Sequence, residues 1–275
     1  MNSLLTLGNT GTPITILEKS TFAQWLAAQS EADQNWLSQT NYKGEGLALL
    51  PSFIAGKEGS LSQVVFVVDD LTHYFSCGSL ITQLPVGQYK LEAAPEHQQA
   101  ICFSWLVGAY EFSSYKTNKK SKTLPSLIID NQTIIDNAIK NAQATALVRD
   151  LVNTPAADMM PQNIGDTAQI LADTFGGSLT QLIGDELLEN NYPTIHAVGR
   201  ASENQPRLID LTWGEPSHPQ ITLVGKGVCF DSGGLDLKPA AGMRNMKKDM
   251  GGAAHVLGLA QLIMSNNLPI NLRVL

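Results

Sequence analysis

Apolar residues recur at helical spacing at Phe22, Trp25, Leu26, Trp36 and Leu37, which predicts helix across 22–37. The unbroken, β-branched run VVFVV at 64–68, bounded by Gly59 and Asp69, predicts a buried strand. A broad apolar face formed by Ala100, Phe103, Trp105, Leu106, Ala109 and Tyr110 predicts a further helix over 96–112. It runs into a polar, basic stretch at 116–122 that reads as a surface loop near a domain edge. LIID at 127–130, just past that edge, has a strand pattern and is an alternative last strand of the first domain.

A long helical pattern then spans 133–152 (Ile135, Ile139, Ala142, Ala146, Val148, Leu151) and stops at the turn signal Asn153-Thr154-Pro155. It reads as an interdomain helix. Downstream, a helix over 162–174 precedes Gly176-Gly177, and strands are predicted at 194–198, 208–212 and 221–224. Alternation of this kind implies an α/β protein whose sheet is mostly parallel and covered on both faces. Residues 250–264 (MGGAAHVLGLAQLIM) are apolar nearly all round, as in a helix buried inside a larger body, and LPINLRVL at 268–275 is a strand pattern. An apolar strand with no polar tail after it suggests a C-terminally truncated chain. No internal repeat or low-complexity tract divides the sequence.

At 275 residues the chain is long enough for two domains with substantial cores. Its 43% hydrophobic and 16% charged residues place it outside the disordered class. A net charge of −7 works against a nonspecific grip on nucleic acid or on an anionic membrane. Cys77, Cys102 and Cys229 are odd in number, widely spaced and without a CxxC pair, so neither a disulfide framework nor a cysteine zinc site is encoded. With no basic n-region ahead of an apolar run and no membrane-length apolar stretch, the sequence reads as a soluble protein of the reducing cytoplasm.

The candidate chemistry lies within 221–254, ITLVGKGVCFDSGGLDLKPAAGMRNMKKDMGGAA. Lys226 follows a buried-type strand at once, where it either snorkels to solvent or finds a partner. Asp231 comes five residues later; on a regular strand the two face opposite ways, so they converge only if the glycines bend the backbone. Singly, Asp231 reads as a turn residue accepting backbone N–H groups, Lys238 as an exposed loop lysine, and Asp249 as the N-cap of the following helix. The glycine-rich helix start lacks the GxxxxGK[ST] and GxGxxG spacings of nucleotide loops. Together, hard carboxylates beside a lysine amine offer ligands for divalent metals, and Lys238 offers a positive charge to a developing oxyanion. A lysine ligates only as the neutral amine, so burial and the metals themselves must pull its pKa down.

The blocks VGKG, FDSGG, LKP and KKDMGGAA, with their mutual spacing, resemble the leucyl (cytosol) aminopeptidases, a family of two-metal exopeptidases. VRDLVNTP at 148–155, AVGRAS at 197–202 with Pro206-Arg207-Leu208, and GAYEFSSYK at 108–116 extend the likeness over roughly 100–275. The resemblance implies a smaller N-terminal α/β domain, residues 1–125. It implies a catalytic α/β/α domain with a mostly parallel central sheet, incomplete here, over residues 126–275. It further implies two divalent ions, Mn2+ or Zn2+, with Asp231 bridging both and Lys226 and Asp249 binding the looser one. Lys238 would polarise the scissile carbonyl. The substrates implied are peptides with a free, leucine-like N-terminus, and the full-length protein is implied to be a homo-oligomer, a hexamer, with no nucleic-acid or membrane partner.

The family's string Asn-Thr-Asp-Ala-Glu-Gly-Arg, which would add an Asp and a Glu for the metals and an Arg, occurs nowhere in residues 1–275. The 275-residue chain is therefore expected to bind metal weakly and to be largely inactive. Two other readings stand beside this one. The chain could be a noncatalytic binding or assembly module that keeps the aminopeptidase fold. It could also be a hydrolase using Ser232, although GxSxG is absent and no histidine neighbours Ser232 in sequence.

Overall fold

The structure is a computed structural model that describes residues 3–53, 59–117 and 123–275. The basic stretch expected at 116–122 lies largely outside them. The chain divides into two compact units, Met1–Ala142 and Gln143–Leu275.

The first unit is built on β1 (Leu5–Leu7), β2 (Thr12–Glu18), α1 (Lys19–Ala27), α2 (Glu31–Gln39), β3 (Gly46–Pro51), β4 (Leu61–Val68), α3 (Leu80–Gln83), β5 (Gln88–Glu92), α4 (Pro95–Gly108) and β6 (Ser126–Ile129). The strands form one sheet in the order β1-β6-β5-β2-β4-β3, parallel throughout except where β3 pairs antiparallel with β4. Successive residues of a strand face opposite ways. Ile14, Ile16, Val64 and Phe66 accordingly enter one core with Trp105 and Leu106 of α4, while Leu17, Val65 and Val67 enter another with Leu37 of α2. The sheet is thus covered on both faces. The single helical stretch expected over 22–37 is two helices. The first ends at Ala27, and Ser30 caps the second, its hydroxyl accepting from Asp33 N–H at 3.2 Å.

α5 (Gln132–Asn153) runs through the division between the units. Ile135, Ala138 and Ala142 belong to the first core and Leu151 to that of the second unit, which is why the division falls inside the helix.

The second unit continues with α6 (Pro161–Phe175), β7 (Ser178–Ile183), α7 (Glu186–Glu189), α8 (Pro193–Gly199), β8 (Arg207–Trp213), β9 (Gln220–Leu223), α9 (Ala240–Met243), a 3-10 helix (Met246–Met250), α10 (Gly251–Ser265) and β10 (Asn271–Val274). Its sheet has the order β7-β8-β10-β9. Only β9 and β10 pair parallel, whereas β7–β8 and β8–β10 are antiparallel. The parallel character expected from the sequence is therefore found in the first sheet, and the four described strands of the second are mixed. Residues 194–198, expected as a strand, are the helix α8: Pro193 sits in its first turn, where its fixed φ favours helix, and overrides the β-branched pattern. β7 was not anticipated. Ala253, Ala254, Leu257 and Ala260 of α10 pack in the second core, but the helix is not buried all round as its apolar sequence implies: Gly252, His255 and Leu259 are exposed. No described helix is long and apolar enough to cross a membrane.

Candidate active site

The candidate residues lie where the chain leaving β9 meets the start of α10. Beyond Leu223 the backbone runs past the first turn of α10, and Ala253 N–H donates to Lys226 O at 2.9 Å. The approach requires glycine on both sides. A Cβ at Gly225 would lie 2.7 Å from Ala253 Cα, and one at Gly252 would lie 2.7 Å from Lys226 N. Gly225 of VGKG and Gly252 of DMGG are thus explained by backbone meeting backbone.

That contact sets Lys226 beside Asp249. Lys226 Nζ stands 2.8 Å from Asp249 Oδ2; the amine side chain is 58% exposed and the carboxylate side chain 12% exposed. Despite the short separation, the pair lacks hydrogen-bond alignment at Oδ2, which has no other hydrogen-bond partner among the described residues. Asp249 does not cap α10. It lies inside the 3-10 helix, and the cap position is held by Met250. The Asp249 carboxylate, by contact and by charge, pushes the Lys226 amine up, with a smaller contribution from the charge of Asp231, while burial acts in the opposite direction.

Residues 224–234 are irregular, so strand alternation does not govern Lys226 and Asp231. Asp231 opens a turn in which its Oδ1 accepts Gly233 N–H at 2.9 Å, and Gly233 takes φ +94°, a conformation costly for any other residue. Lys238 N–H closes the loop on Ser232 O at 2.9 Å, and Lys238 Nζ donates to Asp231 Oδ2 at 2.5 Å. Lys238, read singly as an exposed loop lysine, is thus engaged and only 28% exposed. The Lys238 bond, then the Gly233 N–H, hold the Asp231 carboxyl below its usual range, and the charges of Lys238 and Lys226 act the same way. Asp231, Lys226 and Asp249 consequently share one electrostatic neighbourhood.

Nearby groups add little to a ligand set. Burial pushes the Cys229 thiol up to about 11, so it stays protonated and serves packing. His255 Nδ1 lies 2.6 Å from Gly251 O of its own helix. The Ser232 hydroxyl accepts from Gly234 N–H at 3.4 Å. Among the described residues no three His, Cys, Asp or Glu side chains gather closely enough to hold a metal by themselves. One contact went unanticipated: Lys247 Nζ donates to Asn153 O at 3.1 Å. The double lysine at 247–248 was its only signal, and the sequence does not tell which of the two turns inward.

Comparisons with known proteins bear on the family and the fold. Residues 12–129 match the N-terminal domain of the M17 aminopeptidases, and residues 146–275 match the catalytic domain of the cytosol aminopeptidase family. A protein described as a probable cytosol aminopeptidase of Wolinella succinogenes is 32% identical over 252 residues, 79% of this chain and 52% of that protein. Another of Clostridium perfringens is 35% identical over 179 residues, 60% of this chain and 36% of that protein. The crystal structure of a cytosol aminopeptidase from Coxiella burnetii superposes with a TM-score of 0.88 at 35% identity, covering 98% of this chain and 59% of that one. The bottromycin maturation enzyme BotP, solved in complex with Mn, gives 0.77 at 26% identity, over 96% of this chain and 58% of that one. The chain covers 52% of the Wolinella succinogenes protein and 59% of the Coxiella burnetii one, about half the length of each. With both domain models matched in order along nearly its whole length, the chain belongs to the cytosol aminopeptidase family, M17.

Proposed function

We propose that residues 226–249 form part of a two-metal aminopeptidase centre. Lys226, Asp231 and Asp249 would hold divalent cations there. The substrates are peptides with a free N-terminus, leucine-like residues among them, and the setting is the cytoplasm. The observation that carries this reading is the carboxylate of Asp249. Its Oδ2 is shielded from solvent, has no aligned hydrogen bond among the described residues and faces the Lys226 amine at 2.8 Å, a combination suited to a cation. The match to the family and the Mn bound by BotP support Mn2+ as one suitable ion.

When bound, such ions supply Lewis acidity at a carbonyl and an acidified water. The chain's own residues prepare for this. Asp231 stays ionised because Lys238 and Gly233 N–H favour its charged form. Lys226 holds a proton on Nζ while paired with Asp249 and must release it before the nitrogen can ligate. Lys238 places an N–H donor beside Asp231, suited to the negative charge that would develop on a carbonyl oxygen. Two carboxylates and a neutral amine underneutralise the four positive charges of two divalent ions. The 275-residue chain alone is therefore proposed to hold metal weakly and to hydrolyse little.

The test is a chimera of residues 1–275 with the remaining part of the Coxiella burnetii enzyme, assayed on leucine amide in Mn2+. Hydrolysis that disappears in Asp231→Asn and Lys238→Met supports the reading. A folded chimera whose hydrolysis survives both substitutions overturns it, and points to a module that retains the fold without using this centre.

A further inference from the structure

Two neighbouring lysines behave differently at the edge of the site. Lys248 is exposed, whereas Lys247 is half-buried and its Nζ donates to Asn153 O. Asn153 is the last residue of α5, a helix of 22 residues whose final turn contains no basic side chain of its own. The last carbonyls of a helix lack intrahelical partners and carry its negative dipole end, so a cation there is favoured. Lys247 supplies that cation across 94 positions of sequence, joining the block VRDLVNTP to the block KKDMGG.

The contact matters because of what lies beside it. Lys247 belongs to a 3-10 helix of five residues whose cap position, Asn245, makes no side-chain capping bond. Met250, fully buried, anchors one end of this segment in the second core, and Lys247 ties the other end to α5. Asp249 lies between the two anchors.

We infer that Lys247 is a positioning residue for Asp249. Its ammonium clamps the 3-10 segment to the end of α5, so that the Asp249 carboxylate faces Lys226 and, on the reading proposed above, a divalent cation. Lys247 touches neither that cation nor a substrate. Without the clamp the segment pivots on Met250 and the carboxylate loses its fixed aim. Residues that orient a metal ligand in this way are typically worth about 10- to 100-fold in metal affinity.

The test uses the 275-residue chain with Lys247→Met, which keeps the aliphatic stem, Lys247→Arg, which restores the charge, and Lys248→Met as the neighbouring control. Two quantities are read: the Mn2+ dissociation constant by calorimetry, and amide hydrogen exchange at 246–250 without metal, relative to 255–264. Lys247→Met is expected to weaken Mn2+ binding about tenfold and to speed exchange at 246–250 selectively. Lys247→Arg should reverse both effects and Lys248→Met should produce neither. Unchanged exchange at 246–250 overturns the inference. So does unchanged Mn2+ affinity in a chain whose Asp249→Asn variant no longer binds. If the parent chain shows no Mn2+ binding that Asp249→Asn removes, the metal reading fails separately, and the exchange data alone decide whether Lys247 positions the segment. Should Lys247→Met not fold, Lys247→Gln, a shorter neutral donor, carries the same two measurements.

Discussion

Replacing Gly252 by alanine attacks the contact on which the geometry of the site depends, and Gly251→Ala provides its control. The new methyl at 252 would stand 2.7 Å from Lys226 N and 3.1 Å from Lys226 O, whereas at 251 it would meet nothing within 4 Å. To restore ordinary van der Waals separation, the backbone at Lys226 must retreat by roughly 0.7 Å or more. The bond from Ala253 N–H to Lys226 O, now 2.9 Å, then lengthens. Overpacking costs about 1–3 kcal/mol and a weakened hydrogen bond up to about 1 kcal/mol. Better helix propensity returns up to about 1 kcal/mol. A net loss near 2 kcal/mol lowers Tm by roughly 4–8 °C at this chain length, while Gly251→Ala should leave it unchanged or slightly raised. Thermal unfolding followed by circular dichroism distinguishes the two. If Gly252→Ala melts at or above Gly251→Ala, the close approach of the β9 exit to α10 is wrong, and with it the placement of Lys226 beside Asp249.

Gly258→Ala should be destabilising by about 1–3 kcal/mol, because its methyl would stand 2.5 Å from Val148 Cγ2 and 3.1 Å from Ala144 O where α10 crosses α5. Adding Val148→Ala should recover part of that loss in a double-mutant cycle, and strictly additive Tm shifts would contradict the packing. Mn2+ affinity should rise with pH, by up to about tenfold per unit if ligation by Lys226 releases one proton, since Asp249 holds that amine protonated throughout the neutral range. Calorimetry between pH 6 and 8 (roughly one unit either side of neutrality) checks this, and a flat profile would exclude Lys226 as a ligand. The 275-residue chain should release little leucine from leucine amide in Mn2+; a rate matching that of the Coxiella burnetii enzyme would show that the donors present suffice.

Much of the fold can be read directly from periodicity, and the departures have identifiable causes. VVFVV lies in β4, where both faces are buried, and the apolar segment forms α10, which buries a broad face and leaves His255 and Leu259 exposed. THR-ILE-HIS-ALA-VAL at 194–198 has strand-forming residues, yet one proline ahead of it starts a helix. The break at Ser30 is decided by a single capping hydroxyl. At the site, the sequence names the carboxylates and lysines but not their pairing. Asp231 meets Lys238 through a local turn that the D-S-G-G string already suggests. Asp249 meets Lys226 only because two glycines distant in sequence let a strand exit touch a helix start. Periodicity carries no information about such long-range backbone contacts, nor about Lys247 reaching the end of α5.

A Mn2+ titration of the 275-residue chain, followed by the electron paramagnetic resonance of free Mn2+, bears most directly on whether Lys226, Asp231 and Asp249 serve a common cation site. Weak but saturable binding that is lost in Asp231→Asn and in Asp249→Asn, with both variants folded, is the outcome expected. Binding of equal strength in the parent chain and in both variants would show that these side chains do not gather around a metal.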